Sequence, residues 1–151
     1  MTKNYKVDVL IAGQGAASFA AGLYTSRYQL NTLIVGEHFG GETAIGGLIE
    51  NYPGQPDIDG FDLMLKFKEQ IDNLKTPIHS SNLVNVEKKS GKFYSTLEDG
   101  TQIESISLIL GIGRERRKLG LENEDSWTGK GISYCSTCDA PLYKNKSSVA
   151  V

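Results

Sequence analysis

The chain has 151 residues, of which 39% are hydrophobic and 23% charged, and this is the composition of an ordinary folded protein with a proper core. Its 16 basic residues nearly balance 18 acidic ones, so the net charge of -2 gives no general attraction to nucleic acid or to an anionic membrane. No signal peptide and no apolar run of about 18 residues is found, so we expect a cytoplasmic protein with no membrane and no nucleic acid among its partners.

The first part of the chain predicts a strand, a glycine turn, a helix and a second strand. An apolar run at residues 7–11 leads into Gly13-Gln14-Gly15 and then into a helix that is expected to end near Tyr28. Small residues on one face of this helix are expected to lie against a sheet; that face consists of Ala17, Ala20, Ala21, Tyr24 and Tyr28. A buried strand at residues 32–35 completes a βαβ unit, which predicts parallel strands covered by helices.

The middle of the chain changes its periodicity twice. Residues 40–54 are rich in turn chemistry and predict a long functional loop. Apolar residues at helical spacing then predict a helix from about Phe61 to Lys75 that starts near Asp59. Alternating segments at 83–87, 92–97 and 102–104 predict a three-stranded antiparallel meander.

The last third of the chain predicts further buried strands and a linker. A buried strand is expected at residues 107–110, a solvated linker at 114–118 and a helix start at the YCSTCD stretch. The final Val149-Ala150-Val151 is typical of the first half of another parallel strand, so we expect the chain to stop inside a second domain.

The glycine turn favours a dinucleotide site. A strand that runs through Gly13-x-Gly15 into a helix places a pyrophosphate on the helix N-terminal amides. Ser18 stands at the third position of this pattern, where Gly or Ala is usual. Glu37 lies 24 residues beyond Gly13, where an acid can bond both hydroxyls of an adenosine ribose. A sharp turn without a ligand is the alternative, and the order of elements favours the dinucleotide.

The two cysteines favour a reversible dithiol. Cys135 and Cys138 share a helix face at a spacing close to disulfide geometry. As a purely structural disulfide, the bond would stabilise the folded state by only about 2 kcal/mol. A zinc site would need four ligands, and the chain has no further cysteine or histidine near this pair in the sequence. A helix start lowers thiol pKa, and Asp139 can exchange a proton with a leaving thiol, although it could equally be a plain surface carboxylate. A dithiol moves two electrons, which favours a flavin as the dinucleotide.

With these motifs in this order, the chain resembles the low-molecular-weight thioredoxin reductases, within the pyridine nucleotide-disulfide oxidoreductases. The similar segments are Gly13 to Ser18 (the FAD pyrophosphate turn), Gly40 to Thr43 (the GGQ loop), Glu50 to Gly54 (the ENWPG or ENYPG segment), Leu110 to Gly113 (the ATG turn) and Cys135 to Asp139 (the CATCD redox centre).

The resemblance implies an α/β fold in two parts. Residues 1–115 would be the N-terminal segment of a Rossmann-like FAD-binding domain with a parallel sheet and a three-stranded antiparallel meander. Residues 116–151 would start an NAD(P)H-binding domain that carries the CxxC redox centre.

The resemblance also implies site residues, cofactors and partners. Cys138 would take electrons from reduced flavin, Cys135 would complete the disulfide and Asp139 would handle the proton. The cofactor-binding residues would be Gly13, Gly15, Ala16, Ala17, Ser18, Glu37, His38, Gly41, Glu42, Thr43, Asn51, Gly111 and Gly113, and no metal is expected. FAD and NADPH would be the cofactors, thioredoxin or a similar protein the substrate, and a homodimer the assembly.

Three departures from the family pattern are visible. Glu42 replaces the usual glutamine, and Gly111-Ile112-Gly113 replaces ATG, which removes a threonine hydroxyl. The chain also ends at Val151, before the turn that binds NADPH in this family, so we expect weakened FAD retention and no NADPH turnover by these residues alone.

Three functions remain open from the sequence. The first is a thioredoxin-disulfide reductase, the second a flavin-dependent dithiol oxidase that passes electrons to oxygen, and the third a non-catalytic module that binds a flavin or another nucleotide.

Overall fold

The structure, a computed structural model, describes residues 4–114, 117–135 and 143–145. The chain divides into two compact units, Met1–Gly113 and Arg114–Val151. The assignment of a cofactor domain to each part of the chain stays a prediction. The predicted strand at 149–151 lies outside the described residues.

The elements alternate between strands and helices through most of the first unit. In chain order they are β1 (Asn4–Ala12), α1 (Ala16–Arg27), β2 (Thr32–Val35), α2 (Gly41–Ala44), β3 (Leu48–Ile49), β4 (Ile58–Asp59), α3 (Gly60–Asn73), β5 (Ile78–His79), β6 (Leu83–Lys89), β7 (Lys92–Leu97), β8 (Gln102–Leu110) and, in the second unit, α4 (Glu124–Trp127). None of the helices in the described ranges has the length and apolar content that crossing a membrane requires.

The first unit contains a six-stranded mixed sheet in the order β5-β2-β1-β8-β7-β6. β1 pairs in parallel with β2 and β8, and β2 pairs in parallel with β5. β7 pairs in antiparallel orientation with β6 and β8. The predicted α/β class, with a parallel sheet and a three-stranded antiparallel meander, is confirmed.

The meander and the parallel sheet share a strand, which differs from the sequence prediction. Residues 102–104 and 107–110 were expected to be separate strands, but they form the single strand β8. Its first half pairs with β7, from Gln102 opposite Thr96 to Ser105 opposite Phe93. β8 also follows β1 from Gln102 opposite Asn4 to Leu110 opposite Ala12, and this long parallel pairing keeps the backbone extended.

Two apolar clusters cover the two faces of the parallel strands. On one face Val9, Ile11 and Ile34 pack with Phe19 of α1 and with Met64 and Ile71 of α3. On the other face Val7, Leu10, Leu33 and Val35 pack with Leu97 and Ile103 from the meander. Because both faces are buried, β1 and β2 are almost continuously apolar, as strands of parallel sheets usually are.

The buried face of α1 differs from the predicted one. Tyr24 and Tyr28 are 62% and 76% exposed, and Ala17 and Ala20 are exposed as well. Ser18, Phe19 and Gly22 are buried instead. A Cβ atom on Gly22 would lie 2.8 Å from Cδ1 of Ile34, so this glycine permits the close approach of helix and sheet. The small residues lie all around α1, which makes its apolar period ambiguous in the sequence.

The helix predicted after Asp59 is confirmed as α3. The Asp59 carboxylate accepts a hydrogen bond from the Phe61 N–H at 2.9 Å and caps the helix. Met64 and Ile71 are buried as expected, whereas Phe61 is 48% exposed and Leu63 is buried instead. The preceding segment 40–54 is not one long loop, because it contains α2 and the strand β3, which pairs with β4.

Candidate functional site

Three strands of the sheet end side by side in glycines. Gly13 follows β1, Gly36 follows β2 and Gly111 follows β8. The Gly13 N–H donates to the Val35 carbonyl at 2.7 Å, and the Gly111 N–H donates to the Ala12 carbonyl at 2.8 Å. The carboxyl ends of parallel strands are where open α/β sheets bind ligands.

The backbones of these three loops are in direct contact. Gly13 has a φ of +112°, and a Cβ atom there would lie 2.2 Å from the Gly111 carbonyl oxygen. A Cβ atom on Gly36 would lie 3.3 Å from the Gly13 Cα. Because Gly13 and Gly36 have no side chains, the ends of β1, β2 and β8 lie in close backbone contact.

The N-terminus of α1 opens next to these glycines. Gly15 is its N-cap residue, no side chain caps it, and its first turn has no acidic residue. A Cβ atom on Gly15 would meet no atom within 4 Å, so there is open space beside it. Ala16 and Ala17 add little bulk. Uncapped amides beside open space suit a pyrophosphate group, because they supply hydrogen-bond donors and the positive end of the helix dipole.

Ser18 is fully buried below this helix start. Its hydroxyl donates to the Gly111 carbonyl at 3.2 Å and lies 3.4 Å from the Ala12 carbonyl. The Ser18 side chain therefore joins the ends of β1 and β8 and faces the interior. Serine serves at this third position of the glycine pattern as a packing residue that also satisfies backbone acceptors.

Glu37 is exposed at the end of β2 and is held by Asn82, the residue before β6. The Asn82 side-chain amide donates to Oε2 of Glu37 at 2.9 Å, and the Glu37 N–H donates to Oδ1 of Asn82 at 3.1 Å. The predicted ribose-binding acid thus lies at the same edge of the sheet as the glycine turn.

The segment that carries Gly40 and Gly41 also lies against the glycine turn. The Gly40 N–H donates to the Gln14 carbonyl at 2.8 Å, and a Cβ atom on Gly41 would lie 3.6 Å from the Gly15 Cα. Glu42 and Thr43 follow in α2, where Glu42 is exposed and Thr43 half-buried. The structure therefore brings Gly41 next to Gly15, as a shared cofactor site requires.

Other predicted cofactor residues are less closely tied to this site. His38 and Asn51 are exposed, and no hydrogen bond within residues 4–114 joins either side chain to the glycine turn. Gly113 follows Gly111 with a φ of +68° and open space around its Cβ position. The roles of these three residues stay predictions.

Two residues of the site were missed by the sequence reasoning. Gln14 is buried between the two glycines of the turn, and its amide donates to the Gly36 carbonyl. Asn82 orders Glu37, as described above. Neither had a periodic signal, although an amide residue enclosed between two turn glycines is a position where a backbone contact can be suspected.

Cys135 belongs to the second unit and is half-buried. It is disulfide-bonded, and its N–H donates to the Ser133 hydroxyl at 3.1 Å. Cys138 and Asp139 lie outside the described residues, as does most of the helix start predicted there. In the described ranges, no group of three or more His, Cys, Asp or Glu side chains is arranged to hold a metal ion.

A buried carboxylate organises the loop that follows the predicted linker. Glu124 is 5% exposed and accepts hydrogen bonds from the N–H groups of Leu119 at 2.9 Å, Gly120 at 2.7 Å and Leu121 at 3.1 Å. Burial by itself raises the pKa of Glu124, but the three N–H donors together lower it below its usual value. Lys118 is paired with Asp125 at 2.8 Å, on a solvent-exposed face.

Taken together, the strand, the glycine turn, the uncapped helix and the acid after the second strand define a Rossmann-like α/β protein. The chain belongs to the pyridine nucleotide-disulphide oxidoreductase family, whose model matches residues 7–151.

Several relatives of this chain are thioredoxin reductases. The thioredoxin reductase of Mycoplasma pneumoniae is 38% identical over 148 residues, which are 97% of this chain and 47% of the relative. The crystal structure of thioredoxin reductase from Streptococcus pyogenes superposes with a TM-score of 0.81 at 30% identity, over 93% of this chain and 46% of that one.

A ferredoxin-flavin thioredoxin reductase from Clostridium acetobutylicum gives a TM-score of 0.69 at 32% identity, over 95% of this chain and 50% of that one. This chain therefore spans about half the length of these relatives.

Proposed function

We propose that this chain is the FAD-binding and dithiol-bearing part of a thioredoxin-disulfide reductase that takes its electrons from NADPH. The main support is the space beside Gly15, where uncapped helix amides and the glycine-lined strand ends suit a pyrophosphate. The identity to thioredoxin reductases over nearly the whole chain supports the choice of reaction.

FAD, when bound, supplies the two-electron chemistry that connects a hydride donor with a disulfide. Gly13 and Gly15 would leave room for its pyrophosphate, and the Glu37 carboxylate would accept hydrogen bonds from the ribose hydroxyls. The riboflavin part belongs near residues contributed by α2 and the adjoining loops. Those residues are Gly41, Glu42, Thr43 and Asn51, and Gly111 and Gly113, which follow β8, would be further cofactor contacts.

The cysteine pair passes the electrons to the protein substrate. Reduction of the Cys135–Cys138 disulfide takes up two electrons, and Asp139 gives or takes a proton at the thiols. One thiolate then attacks a sulfur of the oxidised thioredoxin disulfide and forms a mixed disulfide. The second cysteine displaces the thioredoxin thiolate, which closes the Cys135–Cys138 bond again and leaves thioredoxin reduced. A cytoplasmic homodimer is the assembly that completes this proposal.

Flavin titration of the purified chain tests the cofactor site. FAD fluorescence should change on binding, and Gly15→Ala should weaken the affinity about tenfold or more, because the new methyl group occupies the space for the pyrophosphate. The melting temperature should stay unchanged, since that Cβ atom meets nothing in the protein.

Ala20→Ser serves as the matched control, because it adds a single atom to the exposed side of the same helix. An unaltered chain that does not bind FAD would refute the proposal. Equal affinity of the unaltered chain and Gly15→Ala for FAD would show that the pyrophosphate does not lie beside Gly15.

An anaerobic reductive titration tests the dithiol. The flavin-loaded protein should take up about four electrons, two for the flavin and two for the disulfide, and Cys138→Ser should take up about two. Turnover of thioredoxin that survives Cys138→Ser would contradict the mechanism. Oxygen consumption by the reduced protein without a nicotinamide would instead indicate a dithiol oxidase.

A further inference from the structure

We propose that Asn82 is a positioning residue for Glu37, which makes the antiparallel meander part of the dinucleotide site and sets its preference for a ribose with free hydroxyls. This inference rests on the proposed function. The observation behind it is the two-point contact between the Asn82 amide and Glu37, through the carboxylate at 2.9 Å and the backbone N–H at 3.1 Å.

The two hydrogen bonds from Asn82 fix different parts of Glu37. The bond to Oε2 sets the rotation of the Glu37 carboxylate, while the bond to the Glu37 N–H holds the backbone that carries it. A carboxylate has about four lone-pair sites, so one amide donor leaves ample acceptor capacity for two ribose hydroxyls. Without Asn82, an exposed glutamate would have to lose its rotamer freedom at the moment of binding, which lowers affinity.

Asn82 is itself anchored to the meander. Its backbone carbonyl accepts from the Glu98 N–H at 2.9 Å, and its amide also donates to Oε2 of Glu98 at 3.4 Å. The neighbouring Ser81 is 6% exposed, and its hydroxyl accepts from the Asp99 N–H at 3.1 Å. The segment before β6 is therefore tied to the turn between β7 and β8, and this support reaches Glu37 through Asn82.

The two carboxylates beside Asn82 influence which ribose the site prefers. Glu37 and Glu98 both direct a carboxylate oxygen at the same amide. Two carboxylates in this region attract hydroxyl donors and repel a phosphate on the ribose 2′ position. A ligand with free ribose hydroxyls is therefore preferred over a 2′-deoxy or 2′-phosphorylated one, provided that the Glu37 carboxylate is held in place.

The test is a double-mutant cycle on FAD binding by the full chain. Asn82→Ala and Glu37→Gln should each weaken FAD binding by about tenfold, the typical effect of a lost hydrogen bond to a charged group. The double variant should bind no more weakly than Glu37→Gln, because Asn82 acts through Glu37. The same substitution at Asn85, on the surface of the meander, is the control and should leave binding unchanged.

Competition by ADP and 2′-deoxy-ADP supplies a second measurement. The unaltered chain should prefer ADP by about tenfold, and Asn82→Ala should lose most of that preference. If Asn82→Ala does not fold, Asn82→Asp replaces it, because it has the same size and keeps the acceptor for the Glu37 N–H. In this variant a carboxylate oxygen replaces the amide that donates to Glu37, and it repels the Glu37 carboxylate. The preference for ADP over 2′-deoxy-ADP should therefore also be lost.

The outcomes separate this inference from the proposed function. If the unaltered chain binds neither FAD nor ADP, the proposed function and the inference both fail. If it binds both while Asn82→Ala keeps full affinity and full preference for ADP, only the inference fails. Additive losses in the double variant would likewise overturn it, since Asn82 would then act independently of Glu37.

Discussion

Ser18 and Gly111 fit each other: a Cβ atom on Gly111 would lie 2.2 Å from the Ser18 Oγ atom. In the sequence they are two separate departures: Ser18 stands at the third position of the general glycine pattern, where Gly or Ala is usual, and Gly111 begins the segment that replaces ATG. In the fold they are one arrangement, in which a hydroxyl on α1 occupies the space of a methyl group at the end of β8. The departures therefore compensate each other.

The first prediction is that Gly111→Ala is costly only when Ser18 is present. The added methyl group overlaps the Ser18 hydroxyl, and overpacking of a buried site costs about 1–3 kcal/mol of unfolding free energy. In a Ser18→Ala background the same change should cost less than about 1 kcal/mol, because the obstructing oxygen is gone. Urea unfolding of the two single variants and the double variant measures the coupling. Equal costs in the two backgrounds would contradict the compensation.

The second prediction separates stability from binding within the glycine turn. Gly13→Ala should lower the unfolding free energy by about 2 kcal/mol or more, because φ is +112° and the Cβ atom would lie 2.2 Å from a backbone oxygen. Gly15→Ala should leave stability nearly unchanged, since its Cβ position is open. Thermal unfolding of both variants without cofactor gives the comparison. A stable Gly13→Ala protein would show that the strand ends are not in the contact described here.

The third prediction concerns acid sensitivity at the turn between β7 and β8. The Asp99 carboxylate accepts from the Thr101 N–H at 2.9 Å and pairs with Nε2 of His79 at 2.7 Å. These bonds, the one from Thr101 first, lower the pKa of Asp99 from 3.8 to about 2. Because the folded state has the lower pKa, this contribution to stability is complete above about pH 4 and is lost as the pH falls toward 2.

Asp99→Asn is the matched variant for that prediction, because it keeps an oxygen acceptor for the Thr101 N–H and does not titrate. The urea midpoint of the unaltered chain should exceed that of the variant at pH 5, and the difference should shrink as the pH falls from about 4 to about 2. A difference that stays constant over this range would show that Asp99 does not have a lowered pKa in the fold.

The fourth prediction concerns the loop held by Glu124. Glu124→Gln keeps the shape but replaces one of the two acceptor oxygens by an amide donor, which opposes the N–H groups of residues 119–121. Protease cleavage within residues 118–128 should become faster, because the loop opens more often. Asp125→Asn is the control, since that side chain is 81% exposed and pairs only at the surface. Equal cleavage rates in the two variants would contradict an organising role for Glu124.

The features that were predicted correctly from the sequence depend on neighbours along the chain. The turn at Gly13-x-Gly15, the cap at Asp59 and the alternation in β6 and β7 are local patterns, and the structure has the elements where those patterns indicated them. The apolar character of β1 and β2 was equally readable, because strands that are covered on both faces are apolar throughout.

The features that the sequence left undecided depend on contacts between distant residues. The face of α1 was predicted wrongly because small residues surround that helix, and only the approach of Gly22 to Ile34 selects the buried side. β8 was divided in two because nothing local shows that one strand serves both β1 and β7. The bonds from Asn82 to Glu37 span 45 positions, and the contact of Ser18 with Gly111 spans 93.

The amino-acid sequence by itself determined the class of fold, the glycine turn and the acid that follows it, because these follow from backbone preferences and apolar periodicity within short segments. Only the tertiary structure decided which strand ends meet, which side of α1 is buried and which amide holds Glu37. Those choices depend on shape and hydrogen bonding between surfaces that become neighbours only after the chain has folded.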